Sequence, residues 1–86
     1  MYCVYILLCS DSTYYTGATN NIEKRVELHN QGKGAKYTKG RNPVKLVFIE
    51  ETDSLKSAFK REREIKKLTK KKKTALIENY NNKTIL

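Results

Sequence analysis

The pattern of apolar runs and capping residues predicts an α/β (α+β) fold: a small three-stranded, mainly antiparallel sheet with flanking helices, in the order β-β-α-β-α-α. Three observations point there. Two strand-like runs, Tyr2–Cys9 and Thr13–Thr19, stand at the start, separated only by the turn cluster Ser10-Asp11-Ser12. A third run, Val44–Glu50, begins just after the only proline. The remaining long segments open on residues that cap helices and continue with helical spacing of apolar residues.

Taken in order, Tyr2–Cys9 is continuously apolar, β-branched and aromatic, as a strand covered on both faces should be. Thr13–Thr19 completes a hairpin with it. Asn20 is the expected N-cap of a first helix, with Glu23 three residues on as the second half of a capping box. That helix should run from Asn21 to about Asn30, where Gly32 and Gly34 stop it. Lys33–Pro43 is a basic, glycine-bearing loop, and Val44–Glu50 is the third strand. Asp53 or Ser54 caps a second helix, Leu55 to about Leu68, and Thr69 a third, Lys70 to Tyr80. Residues 1–82 are expected to form one domain, with 83–86 polar enough to fray.

The 86 residues carry a formal charge of +9, unevenly placed. Between Lys33 and Lys45 there are five basic residues and no acid; between Lys60 and Lys73 there are nine, against Glu62 and Glu64. Clusters of this kind attract polyanions and release their counterions, so nucleic acid is the expected partner. Lys33, Lys36, Lys39 and Arg41, with Tyr37 as a base-stacking platform, read as backbone-binding residues. Lys70, Lys71, Lys72 and Lys73 read as a more diffuse phosphate-attracting surface. Cys3 and Cys9 would lie about 20 Å apart on one strand, too far for a disulfide. Neither has a CxxC partner, so zinc is unsupported, and two thiols suit a reducing cytosol. No basic n-region precedes the first strand, and Val4–Leu8 is too short to cross a bilayer. The expectation is a cytoplasmic protein, with association to the nucleoid compatible with its charge, and no membrane partner.

Polar residues that break the burial pattern mark a candidate site. On the second helix, Leu55, Ala58, Phe59 and Ile65 fall in one arc with Glu62 in its middle, where a carboxylate is costly without a cation. On the first helix, Ile22 and Val26 form the apolar stripe, and Arg25 and His29 flank it four residues apart. If odd residues of the hairpin pair with odd, Tyr5 and Tyr15 share a face as diagonal neighbours, and Gly17 leaves room for close approach. Tyr2 and Tyr14 read simply as good strand residues.

Cys3-Val4-Tyr5, then Tyr15-Thr16-Gly17 about ten residues later, then Arg25, His29 and Glu62 in that order, resemble the GIY-YIG endonuclease superfamily. With the GKGAKYTKGRNPVKLV stretch and the AFKREREIKKL helix, nearly the whole chain is similar to small stand-alone bacterial members of its UvrC/intron-endonuclease-type group. Cys3 and Val4 stand where the name has Gly-Ile, and Thr16 stands for Ile. The late asparagine of the family falls among Asn79, Asn81 and Asn82. The resemblance implies a metal-dependent endonuclease hydrolysing phosphodiester bonds, DNA before RNA, in repair or processing. It implies Tyr5 as general base, Tyr15 positioning water or phosphate, and Arg25 clamping the phosphate. It further implies His29 assisting proton transfer or orienting the water, and Glu62 holding Mg2+ or Mn2+, with Lys66 on the face of Glu62 as a further nucleic-acid-binding residue that approaches the phosphate. All five site residues should then converge on one concave surface beside the sheet. Larger members carry a further DNA-binding domain that is not recognisable here, which leaves a targeting partner open. The alternative is a non-catalytic nucleic-acid-binding module on the same fold; a ribosome-associated protein needs only the charge.

Overall fold

The computed structural model describes residues 1–85. Its elements are β1 (Tyr2–Leu8), β2 (Tyr14–Thr19), α1 (Ile22–Asn30), β3 (Lys45–Thr52), α2 (Leu55–Lys66) and α3 (Lys70–Ile85). The strands form one sheet in the order β2-β1-β3, with both pairings antiparallel. Central β1 is covered on both faces, which is why its sequence does not alternate: Val4, Ile6 and Leu7 are fully buried and Tyr5 is 1% exposed. The hairpin turn places Ser12 at φ 69°, and Asp11 accepts hydrogen bonds from the Thr13 amide at 3.2 Å and hydroxyl at 2.6 Å. Odd residues pair with odd: Tyr5 lies opposite Gly17 and Leu7 opposite Tyr15.

Pleating sends the two sets of β1 side chains to different layers. Val4 and Ile6 pack with Phe48, Ala58, Ile65 and Ile77, so α2 and α3 cover that face with an aliphatic core. Tyr5, Leu7 and Cys9 face the other way, against Val44, Tyr15 and the Ile22 and Val26 stripe of α1. Cys3 and Cys9 are both buried and free.

Several boundaries shift from expectation. The cap of α1 is Asn21 rather than Asn20: its side chain accepts from the Lys24 amide at 3.2 Å, while its own amide bonds the Thr19 hydroxyl at 3.1 Å. Ser54 caps α2, accepting from the Ser57 amide at 3.1 Å, and the Thr69 hydroxyl accepts from the Lys72 amide at 3.2 Å to open α3. Helix α3 continues past Tyr80 to Ile85; the fraying expected of 83–86 falls on its last turn and on Leu86, which lies outside the described residues. Phe59 and Leu55, expected in the core arc of α2, are 49% and 42% exposed, because the contact with the sheet is narrower than the arc and centres on Ala58 and Ile65. Among the described residues, no helix is long and apolar enough to cross a membrane.

Candidate active site

Tyr5, Tyr15 and His29 form one aromatic cluster on the α1 face. Ring centroids lie 6.4 Å apart for Tyr5 and Tyr15, 6.1 Å for Tyr5 and His29, and 5.1 Å for Tyr15 and His29. The strand register sets Tyr5 directly across from Gly17, and a Cβ there would lie 2.5 Å from the Tyr5 hydroxyl oxygen. Any side chain at 17 would therefore displace the tyrosine. Helix α1 delivers His29 from the opposite direction. It is fully buried, with Nε2 3.2 Å from the Tyr5 hydroxyl and Nδ1 2.7 Å from the hydroxyl of Thr38, itself fully buried. Gly34 lets the loop close over the ring, since a Cβ there would come within 2.5 Å of His29 Cγ and Nδ1.

Electrostatics follow from this burial. Desolvation lifts the Tyr5 hydroxyl above the usual tyrosine range, opposed by hydrogen bonding to the Arg25 guanidinium and by its charge. Desolvation also lowers His29 below the usual histidine range, and the Arg25 charge pushes the same way. Burial and the neighbouring charge thus both favour the neutral imidazole. Arg25, half-buried, is steadied by a 3.4 Å bond from its Nη2 to the Gly34 carbonyl.

Glu62 arrives by another route. It sits on α2, which covers the opposite face of the sheet, and its side chain is 19% exposed. Its partner is Lys66, one turn on, at 2.7 Å. Among the described residues it makes no ion pair with Arg25, although its charge is felt at Tyr5. Phe59, Glu62, Arg63 and Lys66 line one hollow; Lys66 also lines a second, with Tyr14, Tyr15, Thr16, Tyr37 and Lys73. The second hollow straddles the open edge of β2 and brings together side chains from both faces. Tyr5, Tyr15, Arg25 and His29 therefore converge on one face, whereas Glu62 lines a hollow on the α2 side that shares only Lys66 with the hollow at the β2 edge.

The basic residues divide similarly. Lys33, Lys36 and Lys39 are exposed. Arg41 is committed internally: it pairs with Asp11, donates from Nε to the Tyr37 carbonyl at 2.8 Å, and lies 4.5 Å over the Tyr37 ring. Tyr37 stacks on Tyr15 at 6.0 Å and stays 42% exposed. Lys70 donates to the Ser12 carbonyl at 2.8 Å, and its ammonium lies 5.7 Å from the Tyr14 ring. Lys70 and Lys73 line a hollow with Thr13, Tyr14 and Tyr37, whereas Lys71 and Lys72 are simply exposed. Tyr14 has a structural bond, 3.0 Å to the Thr74 hydroxyl. Thr38, and Gly34 in its part against the His29 ring, are the site residues that the sequence did not single out.

No group of three potential metal-ligating side chains occurs among the described residues. A hard cation that keeps most of its waters needs only one or two carboxylates from the protein. Glu62, half-sheltered and already holding an ammonium, suits that demand.

The sheet, the paired tyrosines and the Arg–His helix define a class, and the chain belongs to the GIY-YIG family: the model of the GIY-YIG catalytic domain matches residues 1–81. Within it, the chain is similar to proteins called UPF0213. It is 60% identical over 76 residues to one from Syntrophus aciditrophicus, covering 87% of each chain. It is 49% identical over 78 residues to the UPF0213 protein YazA of Bacillus subtilis, covering 91% of this chain and 79% of the relative. A UPF0213 protein of Bacillus halodurans, solved by NMR, is 43% identical with a TM-score of 0.58, over 91% of this chain and 84% of the other. An NMR structure from E. faecalis gives 38% identity and a TM-score of 0.63, over 93% and 85%.

Proposed function

We propose that this chain is a metal-dependent endonuclease that hydrolyses nucleic-acid phosphodiester bonds, with DNA repair or processing as its setting. One observation carries the proposal: a buried tyrosine hydroxyl bonded to a buried imidazole beside a guanidinium. A packed core needs none of these groups, whereas proton transfer to and from a reacting water can use all three.

Tyr5 is the base. Its oxygen takes a proton from the attacking water as its own proton passes to His29 Nε2, so a hydroxyl with a raised pKa never has to exist as a free phenolate. Arg25 holds the phosphate and answers the charge that develops on it. Tyr15 orients water or phosphate through its hydroxyl. Glu62 would hold Mg2+ or Mn2+. When bound, that ion supplies Lewis-acid charge to the phosphate and the leaving oxygen. Lys66, which lines both hollows, would be released to meet a phosphate with a cation on Glu62. Lys33, Lys36, Lys39, Lys70, Lys71, Lys72 and Lys73 attract the backbone. Arg41 contributes less to that surface than its charge suggests, being occupied by Asp11 and Tyr37.

The deciding experiment incubates the protein with branched, single-stranded and duplex DNA and RNA, with and without Mg2+ or Mn2+. Metal-dependent cleavage that Arg25→Ala abolishes while binding survives is expected; binding without cleavage on every substrate overturns the proposal. A non-catalytic binding module is favoured by one observation, the Glu62–Lys66 pair, which leaves the carboxylate satisfied without a metal. The pair is an i,i+4 contact with Lys66 51% exposed, so Glu62→Gln should cost at most about 1 kcal/mol. Its discriminating readout is the thermal shift on adding Mn2+, present in wild type and absent in the variant if the nuclease assignment holds.

A further inference from the structure

The mechanism above requires a lone pair at His29 Nε2, and an imidazole does not supply one there by default, since neutral histidine carries its proton on either nitrogen. The loop beneath the ring decides which. Thr38 Oγ1 lies 2.7 Å from Nδ1 and donates to the Ala35 carbonyl at 3.1 Å. A hydroxyl has one proton. With that proton on the carbonyl, the Thr38 oxygen offers Nδ1 only a lone pair, and Nδ1 must carry the hydrogen. Nε2 is then bare, and the Tyr5 hydroxyl donates to it across 3.2 Å. In this arrangement every donor has an acceptor.

The opposite arrangement fails on Tyr5. If Nε2 carried the proton it would donate to the Tyr5 oxygen, and the phenolic hydrogen would need another acceptor. Among the described residues the Tyr5 hydroxyl is bonded to His29, no hydrogen bond joins it to Tyr15 or Glu62, and the Arg25 guanidinium beside it has only donors. Tyr5 is 1% exposed, so water does not replace the missing partner readily.

We infer that Thr38 is a positioning residue that fixes His29 as the Nδ1–H tautomer, orienting a one-way chain from Tyr5 through His29 and Thr38 to the Ala35 carbonyl. Its catalytic consequence rests on the nuclease proposal; the tautomer itself does not. A basic loop that reads as nucleic-acid surface thus has a second side. Lys36 and Lys39 are exposed, while Thr38 between them is fully buried under the imidazole.

His29 is the only histidine of the chain, so its two ring nitrogens can be read unambiguously by long-range 1H–15N NMR of the whole protein. The expected wild-type spectrum has Nδ1 protonated and Nε2 bare; a protonated Nε2 overturns the inference before any variant is made. Thr38→Val should release the tautomer toward Nε2–H, and Thr38→Ser should restore the wild-type spectrum. Displacing a catalytic histidine's tautomer has cost on the order of 10⁴ in rate where the orienting group is a carboxylate. Loss of a neutral hydroxyl should lower kcat by about 10² with nucleic-acid affinity unchanged, and Thr38→Ser should recover most of it. Because Tyr5 still favours Nδ1–H in the variant, the readout is the Nε2–H population, and a Thr38→Val protein in which it does not rise above wild type overturns the inference even if wild type cleaves. A tautomer shift in a wild type that cleaves nothing upholds it and removes only the nuclease proposal. Should Thr38→Val not fold, the wild-type spectrum and Thr38→Ala carry the same test.

Discussion

The two faces of this sheet are built from the same strand and obey different rules. Under α2 and α3, Val4, Ile6, Phe48, Ala58, Ile65 and Ile77 form a core in which shape and volume are what matter. Under α1, Tyr5, His29 and Thr38 are buried as deeply but joined by hydrogen bonds, and two glycines are needed to let them meet. A fault on the first face costs stability in proportion to the volume lost. A fault on the second leaves a donor or acceptor unpaired, and its main damage should be to chemistry.

The sharpest way to break this contrast is Tyr5→Phe, which should lower cleavage by 10²–10⁴-fold, about the range for a lost general base, while costing only about 1–3 kcal/mol of stability. Single-turnover rates paired with urea melts would show it, and an unfolded variant would count against it. The converse change is Ile65→Ala. Ile65 is fully buried in the aliphatic layer, so about 2–5 kcal/mol should be lost with little change in rate per folded molecule. Gly17→Ala comes next: a Cβ 2.5 Å from the Tyr5 oxygen must displace the ring, at about 1–3 kcal/mol and with loss of cleavage beyond what melting explains. Smaller, and opposite in sign, is Thr16→Val. The Thr16 hydroxyl is buried on the aliphatic side with no hydrogen-bond partner among the described residues, at the position where the family name has isoleucine. Removing it should raise stability by up to about 1 kcal/mol, read as a shift in the denaturation midpoint.

The smallest effect concerns pH. An unfolded chain protonates its histidine near pH 6.5, whereas burial, with Arg25 beside it, holds folded His29 below that range. The unfolded state therefore binds more protons as pH falls from there, so the contribution is complete above about 6.5 and lost down through the lowered value. Melting temperatures between pH 8 and 5 should show this decline in wild type and not in His29→Gln.

Much of this layout was legible in the sequence, because strand-forming runs and caps are local signals. The hairpin register put Tyr5 and Tyr15 on one face, and Ser54 and Thr69 cap as their residue types suggest. Helical periodicity was less faithful: it gave Phe59 the right arc, but an arc does not say how wide the facing strand surface is. It also put Glu62 beside the core without showing that α2 covers the other face. Thr38, and the part Gly34 plays against the His29 ring beyond ending the helix, were invisible for a different reason. Their places depend on how an irregular loop folds back onto α1, and lysines on either side of Thr38 made the segment look uniformly solvent-facing. Arg41 looked like a phosphate ligand because its partner Asp11 lies 30 residues away, beyond any local pattern.

The position of β2 gives its crevice a consequence for how molecules of this protein behave toward each other. A strand at the border of a sheet leaves half its backbone groups unpaired, a template on which another chain can add a strand, and sheets commonly guard such borders with lysine. Here Lys66 and Lys73 stand along that border, and Lys70 reaches the turn at its end. The charges suited to gripping a polyanion also hold like-charged neighbours off the exposed strand, so neutralising them would remove a safeguard against edge-to-edge self-association as well as a binding surface.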